Sequence, residues 1–343
     1  MKKGLIILIC LLSMTGFIFA EGQGEDGKLL KGNLRIVIGS SSTGGDTYAN
    51  SAIVAEYLAE ELDMNVKVDA TGVNAAYDAL NRDSSGHTIM IFHDQAYLGY
   101  LYGKEGYSNP FENYIVGPSV AINPGNAYLA PANSPYNTLQ DAIDAAGTGT
   151  KVRVAIQPGG VSEIGYTAMK NAVAIEYPGM EENMVAVNTG SQSDKNQLLF
   201  DGQADIINGS IQANEQYTNL PSDDIKAMKF LWMTARNVTI QQANPEGYGD
   251  TSRDDLLRFV EPNVSLANSF TFDKEFFVLY NKEMDSSLVE YYDAALTKIF
   301  DAGEIQKNQK KAFFIPNYKT SAESTAYFKA KMMNYEGIIS SLK

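Results

Sequence analysis

A short apolar strand that runs into a Ser/Thr/Gly turn and then an amphipathic helix constrains this chain more than any other feature. The stretch is Val37–Asp63, VIGSSSTGGDTYANSAIVAEYLAEELD. It places a helix N-terminus at the mouth of a strand. Free N–H groups and the positive end of the helix dipole make such a place an anion site without any Lys or Arg. The device returns in VRVAIQPGGVSEIGYTAMKNAV, with a strand at Val152–Ile156, a turn at Gln157–Gly160 and a helix from Val161. Two such units facing each other point to a ligand clamped between two lobes.

Around these units, strand-like and helix-like segments alternate. Leu34–Ile38, Val66–Val68 and Thr88–Phe92 read as strands, and Asp46–Leu62, Val73–Asn81 and Gln95–Tyr102 as helices. Asn123–Asn137 breaks the pattern with prolines and asparagines, and Thr138–Ala146 restarts it as a capped helix. Strands follow at Val152–Ile156, Met184–Val187 and Ala204–Ile207, with a helix at Asp194–Phe200. After the turn-rich Asn244–Asn263 come a strand at Phe276–Tyr280 and helices at Ser286–Ala302, Gln306–Ala312 and Ser321–Leu342. Alternation of this kind predicts an α/β fold, each lobe a mostly parallel sheet flanked by helices, with the ligand cleft between lobes. The expected division puts residues 33–122 and 272–343 in lobe 1 and residues 123–271 in lobe 2. The chain should cross near Ala121–Gly125 and near Asn268–Phe272, and the C-terminal helices should return to cover lobe 1.

Residues 1–20 read as a signal peptide: Lys2 and Lys3 precede the apolar Leu5–Leu12, and Ile18-Phe19-Ala20 fits a cleavage site. Residues 21–32 read as a flexible leader. The sole cysteine, Cys10, lies in the signal segment behind Ile9, where a lipid-attachment site wants a small residue, so lipoprotein anchoring is not expected. What remains has no thiol, and two histidines, His87 and His93, do not make a zinc site, so neither metal nor cofactor is expected. A net charge of -14 argues against nucleic acid and anionic membrane as partners.

Enzyme signatures are near misses. Gly22–Lys28 has phosphate-loop spacing, but Leu29 stands where Ser or Thr is required and no strand precedes it. Ser40–Gly44 is similar to a nucleophile elbow without its first glycine, so a hydrolase using Ser42 and His93 is an alternative class and a non-enzymatic receptor the main one.

Taken in order, five segments resemble the tripartite tricarboxylate transporter receptor family, the TctC or Bug proteins. They are GGDTYANSAIVAEYLAEEL, SSGHTIMIF, SPYNTLQDAIDAA with VAIQPGG, VNTGSQSDKNQLLFDGQADIING, and the tail PNYKTSAESTAYFKAKMMNYEGII. The resemblance implies a type II-like periplasmic binding fold that closes over a small carboxylate. It also implies delivery to integral membrane permease subunits, and a monomer is expected. It places ligand contacts on Ser41, Ser42, Thr43, Gly44, Gly45 and Asp46 of the first turn, and on His93, Asp94 and Gln95 after the third strand. In lobe 2 it places them on Gln157, Pro158, Gly159, Gly160, Val161 and Ser162, on Thr189, Gly190 and Ser191, and on Asn208, Gly209 and Ser210. The family's Pro-Pro-Gly-Gly turn is Ser-Ser-Thr-Gly here, and Glu163 holds a position often occupied by His. The TAXI-type receptors of TRAP transporters, whose STGGTYY turn is similar to Ser42–Tyr48, are the alternative family.

The windows that hold most of these contacts, Ile36–Val66, Asp83–Gly103, Ala155–Met169 and Gln203–Ile225, contain no Lys or Arg. The expectation is one held carboxylate and an uncharged or cationic distal part, with Tyr48, Tyr97 and Tyr166 as candidate walls.

Overall fold

The computed structural model describes residues 28–342; the expected signal peptide and the leader up to residue 27 lie outside the described residues. The strands are β1 (Asn33–Ile38), β2 (Asn65–Ala70), β3 (Thr88–His93), β4 (Tyr114–Asn123), β5 (Asn126–Pro131), β6 (Val152–Ile156), β7 (Met184–Asn188), β8 (Ile206–Ser210), β9 (Met228–Met233), β10 (Lys274–Asn281) and β11 (Ile315–Lys319). They form two sheets, β11-β4-β10-β3-β1-β2 and β7-β6-β8-β5-β9. Every position of β3, TIMIFH, and β10, KEFFVLYN, is buried, as strands covered on both faces require.

Both sheets are mixed. The strand–turn–helix units give parallel halves, β2-β1-β3 and β7-β6-β8. The strands entering and leaving the lobe crossings give antiparallel halves, through β10, β4 and β11 in one sheet and β5 and β9 in the other. The pattern break at 123–137 therefore contains β5, which lies between β8 and β9. In β4, Gly117-Pro118 interrupts the strand pattern, and the ladder to β10 shifts register there. Gly117 is required at that point, since a Cβ would lie 2.6 Å from Cε2 of Tyr280.

The chain leaves the first sheet after Asn123 and enters the second at Asn126. It returns between Thr234 and Lys274. The two crossings are stitched together at Thr234. Its N–H donates to Asn126 O at 2.9 Å, its hydroxyl donates to Phe272 O at 2.9 Å, and its carbonyl accepts from the Phe272 N–H at 2.6 Å.

The helix Ser321–Leu342 packs on β4 and on the helix Gln95–Leu101, and also meets the helix Val161–Glu176 of the other sheet. A buried ion cluster fixes it to the hinge: Lys331 Nζ lies 2.7 Å from Asp94 Oδ1 and 2.7 Å from Glu275 Oε1, and donates to Asp273 O at 2.8 Å. Burial works to lower the Lys331 pKa, but Asp94 and Glu275 outweigh it and hold it above the ordinary lysine value. Replacing Lys331 by Met would leave Asp94 and Glu275 buried without their cation. Lys331→Met should therefore destabilise the fold by roughly 3–5 kcal/mol, read as a lower urea midpoint. A midpoint unchanged from wild type would show that the cluster does not hold the helix.

Candidate functional site

The helix Asp46–Leu62 begins behind Gly45 and the helix Val161–Glu176 behind Gly160, and neither N-cap residue supplies a side-chain hydrogen bond. By contrast, Thr138 and Ser191 cap the helices that follow them. Both uncapped N-termini line a partly enclosed cavity of ≈ 60 Å³ between the sheets.

Of the residues expected to touch a ligand, the cavity is lined by Gly45, Asp46, His93 and Gln95 from the first lobe. From the second it is lined by Gln157, Val161, Ser162, Asn208 and Ser210. Pro158, Thr189 and Gly190 line an adjoining open groove with Thr71 and Gly72. Ser42 lies at the rim, where its hydroxyl is 3.3 Å from that of Ser193 across the cleft and accepts from the Gly44 N–H at 3.2 Å. Ser41 and Thr43 belong to the same exposed turn and do not line the cavity. Gly159 and Gly160 are close-approach positions. A Cβ on Gly159, at φ +76, would lie 2.6 Å from Cγ of Lys104, and one on Gly160 3.2 Å from the Gln95 side chain. Gly209 is similar, its missing Cβ occupied by the Asn214 amide. Ser191 caps its helix by accepting from the Asp194 N–H.

Two expectations about placement are corrected. Asp94 does not face the cavity; it is completely buried in the Lys331 cluster, with the Tyr97 hydroxyl and the Glu275 N–H as further donors. None of the three tyrosines walls the cavity. Tyr97 is core, Tyr166 donates to Met184 O, and Tyr48 packs on the apolar cluster under the first helix. Glu163 accepts from the Gly159 N–H and lies 3.3 Å from Lys104 Nζ.

The larger correction concerns charge. Lys195 and Lys274 both line the cavity, so the cleft is not free of cations. Lys274 opens β10, directly after the return crossing, and its Nζ lies 2.7 Å from Asp46 Oδ2. The same Asp46 oxygen accepts from Asn123 Nδ2 at 2.6 Å, and Oδ1 accepts from the Thr47 N–H at 2.9 Å. Lys195 stands in the first turns of the helix Gln192–Phe200, where a cation opposes the dipole. It is 5% exposed, and among the described residues no hydrogen bond or ion pair engages its ammonium. Burial first, and then the charge of Lys274 against the weaker pull of Asp46, pushes its pKa down to about 7.

His93 ends β3 and is held well below the usual histidine range by burial, then by Lys274 and Lys195, so its ring is neutral. Nδ1 faces the Gln95 N–H at 3.2 Å and accepts from it, which leaves the ring proton on Nε2. Ser210 presents a buried hydroxyl that has no partner among the described residues. Gly39, Ser40, Thr47, Asn126 and Gln192 complete a lining in which Val161 is the one large apolar side chain. Among the described residues Ser42 and His93 share no hydrogen bond, so the nucleophile–base contact of a hydrolase is not formed.

No protein-family model matches the chain, and no curated protein is similar to it in sequence. Solved structures do match. An R. palustris protein with adipate aligns with a TM-score of 0.73 at 12% identity, over 91% of this chain and 97% of that one. MatC from Rhodopseudomonas palustris, with bound malate, gives 0.68 at 13% identity over 90% and 99%. The periplasmic binding protein BugD gives 0.68 at 14% identity over 91% and 97%. This chain has the fold of the Bug-type periplasmic binding proteins. In this chain Lys195 lines the cavity between the two sheets of that fold.

A cation buried without an anionic partner costs stability. Lys195→Met should raise the unfolding midpoint of the ligand-free protein by at least about 1 kcal/mol equivalent. The folded-state pKa of Lys195 lies below its unfolded value, so the unfolded chain binds more protons above pH 7. The gain is therefore largest below pH 7 and fades as pH rises toward the unfolded lysine value. Urea titrations at pH 6 and pH 9.5 would measure it, and a midpoint lowered at both would refute the assignment.

Proposed function

We propose that this chain is an extracytoplasmic solute receptor that captures a small carboxylate by closing two lobes over it and passes it to a membrane permease. Lys195 carries this reading: a buried lysine whose ammonium has no partner among the described residues, beside a second lysine, in a cavity whose lining is mostly polar. A ligand carboxylate would supply the missing anion. The two uncapped helix N-termini, the His93 Nε2–H and the Ser210 hydroxyl would supply neutral hydrogen bonds. Both lobes would hold the same ligand, which is what selects the closed form. The bound malate and adipate of the neighbouring structures support a carboxylate as the ligand. The resemblance to TctC and Bug proteins supports a tripartite tricarboxylate type of permease, and the apparent signal peptide with the periplasmic neighbours supports export. Loss of labelled carboxylate uptake on deletion of the gene would test the transport step; undiminished uptake would overturn it.

Binding should depend on pH through Lys195, which faces Lys274, Asp46 and His93. A carboxylate beside it raises its pKa above about 7, so binding takes up a proton. Affinity should be full below pH 7 and fall by up to about tenfold per pH unit above it. Calorimetry in buffers of different ionisation enthalpy would read the proton uptake, and Lys195→Met should lose both the affinity and the pH dependence. A pH-independent affinity between pH 6 and pH 9 would remove Lys195 from the site.

Closure makes a separate prediction. The Ser42–Ser193 contact and the Gly159–Lys104 approach belong to a closed cleft. Small-angle scattering should report a larger radius of gyration for ligand-free protein than for saturated protein. Identical curves would count against hinge closure.

A further inference from the structure

The cavity's charged groups are Lys195, Lys274 and Asp46, since His93 is neutral. Asp46 is bound to Lys274 at 2.7 Å and held in place by Asn123 and the Thr47 N–H, all of them buried. The protein's own carboxylate thus occupies one of two cationic places, and a net single positive charge is left, on Lys195.

We infer that the receptor is built for a compact monoanion, and that Asp46 is the residue that excludes dicarboxylates by standing where a second ligand carboxylate would sit. This rests on the reading of the cleft as a carboxylate site and narrows it to a substrate class: short monocarboxylates bearing hydroxyl or keto oxygens.

Three observations converge on this class. A second ligand carboxylate would either meet Asp46 as a like charge or have to displace it from Lys274. Displacement would leave the Asp46 oxygens buried beside Asn123 without their cation. The enclosed space is small, ≈ 60 Å³, so a short acid can be held within it while a long diacid would have to reach into the adjoining open groove. The lining offers hydroxyl, amide and imidazole groups to ligand oxygens, but only Val161 as a large apolar wall for methylenes.

The test uses matched pairs that differ in charge at constant carbon number: lactate against malonate, and 2-hydroxybutyrate against malate. Calorimetric titration of the wild-type protein at pH 6.5 should favour the monoanion of each pair by at least about tenfold. Asp46→Asn keeps the shape and frees Lys274, so the preference should reverse toward malonate and malate by a similar factor. The double variant Asp46→Asn/Lys274→Gln returns the site to one positive charge and should restore the monoanion preference. This arm also holds if Asp46→Asn alone fails to fold, as thermal unfolding would reveal. Wild-type protein that binds malonate as tightly as lactate overturns the inference and leaves the carboxylate reading in place. So does a folded Asp46→Asn variant with an unchanged ratio. If none of the four acids binds folded wild-type protein, the carboxylate reading itself fails, and the inference with it.

Discussion

Successive residues of a β-strand point to opposite faces, and at the start of β10 that rule separates two buried ion networks by one peptide bond. Lys274 turns to the cleft and meets Asp46; Glu275 turns to the other face and meets Lys331 and the Tyr327 hydroxyl. The strand that returns the chain from the second sheet therefore joins the cavity, the crossings and the C-terminal helix. Removing Lys274 would leave Asp46 buried without its cation on one face, and removing Glu275 would leave Lys331 with Asp94 alone on the other. A position with that much dependence on exact register needs β10 to be pinned, and it is buried along its whole length between β3 and β4.

The two lobes contribute differently to the cavity. The first lobe brings Asp46, His93 and Lys274, whose charges and hydrogen bonds are largely settled among themselves. The second brings the Lys195 ammonium and the Ser210 hydroxyl, neither of which has a hydrogen-bond or ion-pair partner among the described residues. The unsatisfied groups thus sit on the lobe that must be drawn in. A ligand held by the first lobe would offer them what water no longer can once the cleft shuts.

The sequence made the parallel βα units legible because each repeats the same order of apolar strand, turn and periodic helix. Beyond those units it was less informative. β4, β5 and β11 carry prolines, glycines or asparagines where a regular strand would not, β9 is a mostly apolar run, and the pairing of all four involves strands distant in sequence. Ladder shifts in β4 and β5 accommodate part of that irregularity. The same limit hid the two lysines. Lys195 lies four residues past the Thr189–Ser191 turn, and Lys274 opens a strand whose place beside Asp46 depends on the second crossing. Signals were present: a lysine in the first turns of a helix, and one heading the apolar FFVLY run, are both out of keeping with dipole and burial. Asp94 misled in the opposite sense, because a carboxylate at a strand's C-terminal end reads as ligand-facing until the helix bearing Lys331 is seen behind it.

The stitching at Thr234 has a mechanical consequence. Two independent linkers would let the lobes bend, twist and shear separately. Here the outgoing and returning chains are bonded to one another through Asn126, Thr234 and Phe272, so they flex as a single narrow ribbon. Lys331 grips the carbonyl of Asp273, the residue next to that ribbon. Were the lobes to close as proposed, the crossings would act as a hinge with few degrees of freedom, and a rotation that shut the front of the molecule would be felt as torque on the C-terminal helix at its back.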